Sequence, residues 1–167
     1  MKITRALIVT LVITGASIAT YIWRVNATTN KTAPWLVGKF CPTWSVIGPM
    51  ESVQQLSDFV TDRPLVAVLV SHKCGACIDL LNAMDASVKD ISAKADIVVL
   101  NWPNASQTQT DISPQVEQQY ILASTSQVHG YVLPTTLLID AKKSVIFDQR
   151  GWRTDLWQII SKVLDSL

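Results

Sequence analysis

Apolar and polar positions follow three rhythms along the chain. The first is an unbroken run. Residues 6 to 23, "ALIVTLVITGASIATYIW", hold no charged side chain. A helix of that length spans about 27 Å, enough for a bilayer core. Lys2 and Arg5 precede the run, and Tyr21, Trp23 and Arg24 close it as an interfacial belt would. Residues 1–25 are therefore expected to form an N-terminal transmembrane helix, a signal anchor, in preference to a signal peptide cut after Ala19. Residues 26–43 are expected to be a polar linker, "NATTNKTAP", and an aromatic-rich approach segment. Trp35, Phe40 and Trp44 then pack on the domain or lie at the membrane surface.

The second rhythm is the short apolar run. "PLVAVLV" and "DIVVLNW" read as strands buried on both faces, the former central and parallel. "TTLLID" and "SVIFDQ" read as strands joined by a tight "AKK" hairpin, and "TWSVI" as a short first strand. The third rhythm has steps of three and four, the period of a helix face. It places Val53, Leu56 and Val60 on one face of a helix in "ESVQQLSDFV", behind Pro49. It places Ile78, Leu81, Met84, Val88 and Ile91 on a helix that opens at Cys74. It also predicts a closing helix, "TDLWQIISKVL", with Leu156, Ile159, Ile160, Val163 and Leu164 inward and Thr154 or Asp155 as its cap. Residues 103–113 read as a loop, and Pro114 as the start of a further helix. The order predicts an α/β domain over residues 44–167, a mixed sheet with flanking helices in three layers.

Charge changes one part of this picture. All thirteen acidic residues follow residue 33, where they meet ten basic ones, a net −3. A mildly acidic body argues against a nucleic-acid partner, which needs a basic face.

The candidate chemistry lies in "SHKCGACIDLLNAM", where Cys74 and Cys77 are two residues apart. Structural zinc needs four ligands, commonly two such pairs. Cys41, His72 and His129 form no second pair, so no metal is expected. A staple across two residues removes little chain entropy. A redox pair fits better, because the motif stands where a strand ends and a helix begins. There the first free amides and the helix dipole favour a thiolate on Cys74. Lys73 adds a neighbouring cation that tunes its pKa, and His72 adds another when protonated. Cys77, one turn inward, is the expected resolving cysteine, and the couple needs no cofactor beyond its own disulfide.

Three features together resemble the thioredoxin-like superfamily over roughly residues 44–167: "PLVAVLVSHKCGAC", "GYVLPTTLLID" and "FDQRGW", in the family's order. The resemblance implies a thioredoxin-like fold and a thiol–disulfide oxidoreductase. It implies a cis peptide bond before Pro134, lying against the cysteine pair. The Leu133 backbone would then bind an extended substrate segment as a strand. The sequence departs from thioredoxins proper at three places. Lys73 stands where they carry tryptophan, Gly75-Ala76 where they carry Gly-Pro, and Val68 where they bury an aspartate that helps deprotonate the second cysteine. These departures lean toward a more oxidising couple.

The expected protein is thus membrane-tethered through residues 6–23, with its catalytic domain extracytoplasmic. Its substrates are protein thiols or disulfides, and a further redox partner recycles the pair. The alternative is a non-catalytic thioredoxin-fold module that holds peptides in a membrane complex. Of the other candidates, Cys41 reads as an inert buried thiol, His129 and Asp79 as surface residues, and Trp152 and Trp157 as packing near the last helix.

Overall fold

The computed structural model describes residues 35–48, 52–102, 119–128 and 130–167. The expected anchor, the linker over residues 26–34, the loop over residues 103–113, the start of a helix at Pro114, and His129 all lie outside the described residues. Among the described residues no helix is long and apolar enough to cross a membrane.

Seven strands form one mixed sheet: β1 (Ser45–Ile47), β2 (Val53–Gln55), β3 (Leu65–Val70), β4 (Asp96–Asn101), β5 (Gln119–Leu122), β6 (Thr135–Ile139) and β7 (Val145–Arg150). Their order across the sheet is β2-β1-β5-β4-β3-β6-β7. The continuous apolar runs take the centre. All six residues of β3 are buried, as a strand covered on both faces requires. β3 runs parallel to β4 and antiparallel to β6, and β4 runs parallel to β5. Helix α1 (Gly75–Ser92) is the crossover from β3 to β4. The β6–β7 hairpin turns on Asp140, whose carboxylate accepts from the amides of Lys142 and Ser144 at 2.9 and 2.8 Å.

Two cores flank the sheet. On one face Val66, Val68 and Val70 of β3 meet Cys77, Leu80, Leu81, Met84 and Ile91 of α1, with Leu156, Trp157 and Ile160 of α2 (Leu156–Leu164). The Trp157 indole donates to the Leu80 carbonyl at 3.3 Å and ties the helices together. On the other face Leu65, Ala67 and Leu69 meet Trp44, Cys41, Leu56 and Val128. This second cover, among the described residues, is extended chain and two single turns of 3-10 helix, Leu56–Phe59 and Thr125–Val128, rather than an α-helix.

Three expectations are corrected. The helix expected in "ESVQQLSDFV" is β2 followed by a 3-10 turn. Its donors and acceptors go to the β1 ladder, and Asp58 caps the turn by accepting from the Gln55 amide at 2.8 Å. Val53, placed on a buried helix face, is 65% exposed. Gln119–Leu122 form a strand for which the sequence raised no expectation, β5, because Tyr120 and Ile121 find partners in β4 and Ile121 another in β1. Ile78 is 49% exposed, because the buried stripe of α1 runs through Cys77 instead. Asp155 is the residue before α2 but makes no side-chain cap; its carboxylate is taken by Arg153 at 2.6 and 2.8 Å.

A candidate dithiol site at the head of a helix

β3 ends at Val70, and the chain turns through Ser71 to Cys74. The Cys74 amide donates to the Ser71 carbonyl at 3.0 Å, which closes the turn. Cys74 has extended backbone and is the N-cap of α1. Its sulfur accepts from the Cys77 amide at 3.2 Å. The N-cap position, usually held by a serine or aspartate oxygen, is therefore held by sulfur. The first turn of a helix leaves its amides without internal partners, and one of them here points at Cys74. Cys74 and Cys77 are joined as a disulfide, with Cα atoms 5.2 Å apart. Cys74 is half-buried, while Cys77 is 1% exposed beneath it. That asymmetry suits an outer sulfur that meets substrates and an inner one that does not. Lys73 is exposed and His72 half-buried on the turn into the helix.

The other site residues arrive from the far side of β3. β6 begins at Thr135, which lies opposite Leu69 near the end of β3. The peptide bond just before it, Leu133–Pro134, is cis, as the resemblance implied. Pro134 is buried, and Leu133 packs against the same cluster as Cys74 and Cys77. The Thr135 hydroxyl donates to the Val132 carbonyl at 2.6 Å and fixes the loop. The Gly151 amide donates to the Pro134 carbonyl at 2.7 Å. Gly151 has φ +77°, a conformation that favours glycine, so the third sequence feature, "FDQRGW", meets the second at this bond. The fold thus gathers the pair, the cis-proline loop and Trp152 on one side of the sheet.

Val68, in place of an acid, is fully buried in the same cluster as Cys77. Two polar residues that sequence reasoning did not single out lie on the strands to either side. Thr136 of β6 is paired with Val68, and Asn101 of β4 with Val70. They are 1% and 6% exposed, and neither Thr136 Oγ1 nor Asn101 Oδ1 has a hydrogen-bond partner among the described residues. A threonine in an apolar strand reads as ordinary β-propensity, so the sequence carries no signal for it. Among the described residues no group of acidic, histidine and cysteine side chains could hold a metal ion. A groove lined by Ser87, Asp90, Trp157 and Lys162 follows the α1–α2 seam, on later turns of α1 than the cysteines.

No family model matches the chain. Nor does any curated protein sequence. Solved structures do match. A Chlorobium tepidum protein described as a thiol:disulfide interchange protein, DsbE, superposes with a TM-score of 0.60 at 19% identity, covering 78% of this chain and 96% of that one. A thiol:disulfide interchange protein from Bacteroides sp. gives 0.58 at 15% identity, over 81% and 92%. A thiol peroxidase from Chromobacterium violaceum gives 0.56 at 15% identity, over 81% and 89%. At these identities the likeness is one of fold, and one fold hosts several thiol chemistries. The chain has the thioredoxin-like α/β fold of the thiol–disulfide oxidoreductases, and it carries a cysteine pair at the head of α1.

Proposed function

We propose that this chain is a membrane-tethered thiol–disulfide oxidoreductase that acts on the cysteines of exported proteins. The observation that carries the reading is the bond from the Cys77 amide to the Cys74 sulfur at the N-terminus of α1. A donor and a helix dipole aimed at one sulfur favour its thiolate over its thiol. Cys74 is then the nucleophile. Its thiolate attacks a substrate disulfide, forms a mixed disulfide and expels one substrate thiolate. Cys77 loses its proton and attacks the Cys74 sulfur. The Cys74–Cys77 disulfide forms, the second substrate thiolate leaves, and two electrons have passed to the substrate. The reverse sequence oxidises a substrate dithiol.

Lys73 is the cation that biases Cys74 further toward the thiolate, and His72 stands next to it on the same turn as a second tuning residue. Leu133 offers backbone groups to an extended substrate strand, with Pro134 shaping the loop. Val68 supplies no buried charge to hold the thiols protonated, so the couple is more oxidising than a general reductase. The residue 6–23 segment anchors the domain outside the cytoplasm, and a separate redox partner recycles the pair.

The test is a redox titration of the full-length chain against glutathione, read by alkylation of Cys74 and Cys77. A single two-electron transition at a potential above about −200 mV is expected, against about −270 mV for thioredoxin. Absence of a reversible Cys74–Cys77 disulfide sinks the redox reading; a thioredoxin-like potential sinks its oxidising direction. Membrane fractionation of the expressed chain, with and without residues 1–25, tests the tether.

A further inference from the structure

Resolution of the mixed disulfide needs a proton to leave Cys77, a sulfur that is 1% exposed. The strand beneath it offers none of the usual acceptors, because Val66, Val68 and Val70 line that face of β3. The strand beside it does. In an antiparallel pair, residues directly opposite project to the same face. Thr136 is opposite Val68, and Leu138, two residues on, belongs to the Cys77 cluster. Alternation along a strand therefore puts Thr136 on the Cys77 side of the sheet and Thr135 on the other. Thr135 spends its hydroxyl on the Val132 carbonyl. Thr136, equally buried, has a hydroxyl with no partner among the described residues. A buried hydroxyl left in this state is destabilising. A β-branched apolar residue of the same shape, valine, would fill the position without that cost.

We propose that Thr136 is a positioning residue for the dithiol, holding a water that accepts the proton of Cys77 when that cysteine attacks the mixed disulfide. This inference rests on the redox reading above. Threonine offers a donor and an acceptor, and a buried water needs two or more such polar partners. In the reducing direction the Cys77 proton passes to the water and on to solvent, and the Cys77 thiolate displaces the substrate thiolate from Cys74. In the oxidising direction the same water returns the proton to Cys77. Thr136 is unchanged by either.

The test uses the full-length reduced chain and the aromatic disulfide dithiobis(nitrobenzoate). Attack by Cys74 releases one thionitrobenzoate, and resolution by Cys77 releases a second. Thr136→Val is expected to slow the second release about tenfold at neutral pH and to move its pH midpoint up by about one unit. The first release stays near wild type, and the melting temperature does not fall. Thr136→Ser is expected to keep the wild-type pH profile, a rescue that packing alone does not predict. Thr136→Ala is made in parallel and should match the valine variant. Equal second-phase profiles for alanine, serine and wild type overturn the inference, even where valine disturbs packing. So does a serine variant as slow as valine. A wild-type chain that never releases the second thionitrobenzoate overturns the redox reading itself.

Discussion

Cys74 and Cys41 occupy opposite electrostatic settings. Cys74 faces a helix N-terminus, which favours its thiolate. Cys41 lies under the other face of the sheet, beside Leu36 and Trp44, and is 8% exposed. Burial pushes its thiol up to about 11 from 9.0; Lys143 opposes the shift and Asp58 adds to it. At about pH 8, roughly one Cys41 in a thousand is then ionised. Because only the thiolate is nucleophilic, alkylation of Cys41 in the folded, reduced chain should lag far behind that of Cys74. Its rate should climb about tenfold per pH unit until the thiol titrates. Mass spectrometry of timed iodoacetamide quenches measures both rates; comparable rates near neutral pH would refute the assignment. The raised thiol also makes stability depend on pH. The folded form holds the proton more tightly, so this contribution is intact below pH 9 and is lost as pH rises toward 11. Cys41→Ala should flatten the alkaline limb of a urea-denaturation profile. Residues of this kind were legible in the sequence where chemistry and spacing coincide, as at Cys74 and Cys77. Thr136 was not. Its meaning depends on which residue of β3 it lands beside, and that is set by a register 68 positions away along the chain.

At the scale of elements, the head of α1 is precise because β3 is rigid. Six consecutive buried residues, all paired with β4 and all but Val70 with β6, fix where the strand ends and hence where Cys74 begins. The same packing makes a buried acid costly here: a carboxylate at position 68 would sit among valines and leucines, with the Thr136 hydroxyl as its polar neighbour on β6. Val68→Asp should cost about 3 kcal/mol or more, measured by urea denaturation, because a lone ionisable group is forced into an apolar site. Its carboxyl should titrate above the usual range, and the stability loss should shrink as pH falls and the group protonates. A variant as stable as wild type near neutral pH would show that the site is wetter than its burial indicates. β3, β4, β6, β7 and both helices were legible because their apolar patterns are long or strictly periodic. β2 and β5 were not. Each is three or four residues long, and each exists through partners in β1 or β4 rather than through its own pattern. Three apolar residues at helical spacing in "ESVQQLSDFV" were outweighed by a hairpin ladder.

Across the whole molecule, the described start of the chain is sewn to the strand farthest from β2. The Gly38 amide donates to the Val145 carbonyl, the Val145 amide to Lys39 and the Cys41 amide to Lys143, at 2.8, 2.8 and 2.7 Å. This covers part of the edge of β7, which would otherwise offer free backbone groups. The centre of the seam is one carboxylate. Asp148 has a side chain 0% exposed, and Arg150 beside it is 7% exposed. Asp148 Oδ2 accepts from the Leu36 amide at 3.0 Å and from Arg150 Nη2 at 3.1 Å. Arg150 in turn stacks over Trp35 at 4.6 Å and Tyr131 at 4.8 Å, and Tyr131 meets Trp44 edge-on. One ion pair therefore joins the approach segment, β7 and the loop that leads to Pro134. Asp148→Asn keeps the shape but leaves the guanidinium buried without its carboxylate. The expected cost is about 3 kcal/mol, read from the urea midpoint, because one partner of a buried ion pair is removed. The Leu36 and Tyr131 amides should exchange with solvent faster than those of β3. Adding Arg150→Met to Asp148→Asn should restore part of the loss, since no charge then remains buried. If the double variant were less stable than Asp148→Asn alone, the aromatic stacking of Arg150, and not its pairing with Asp148, would be what holds the seam together.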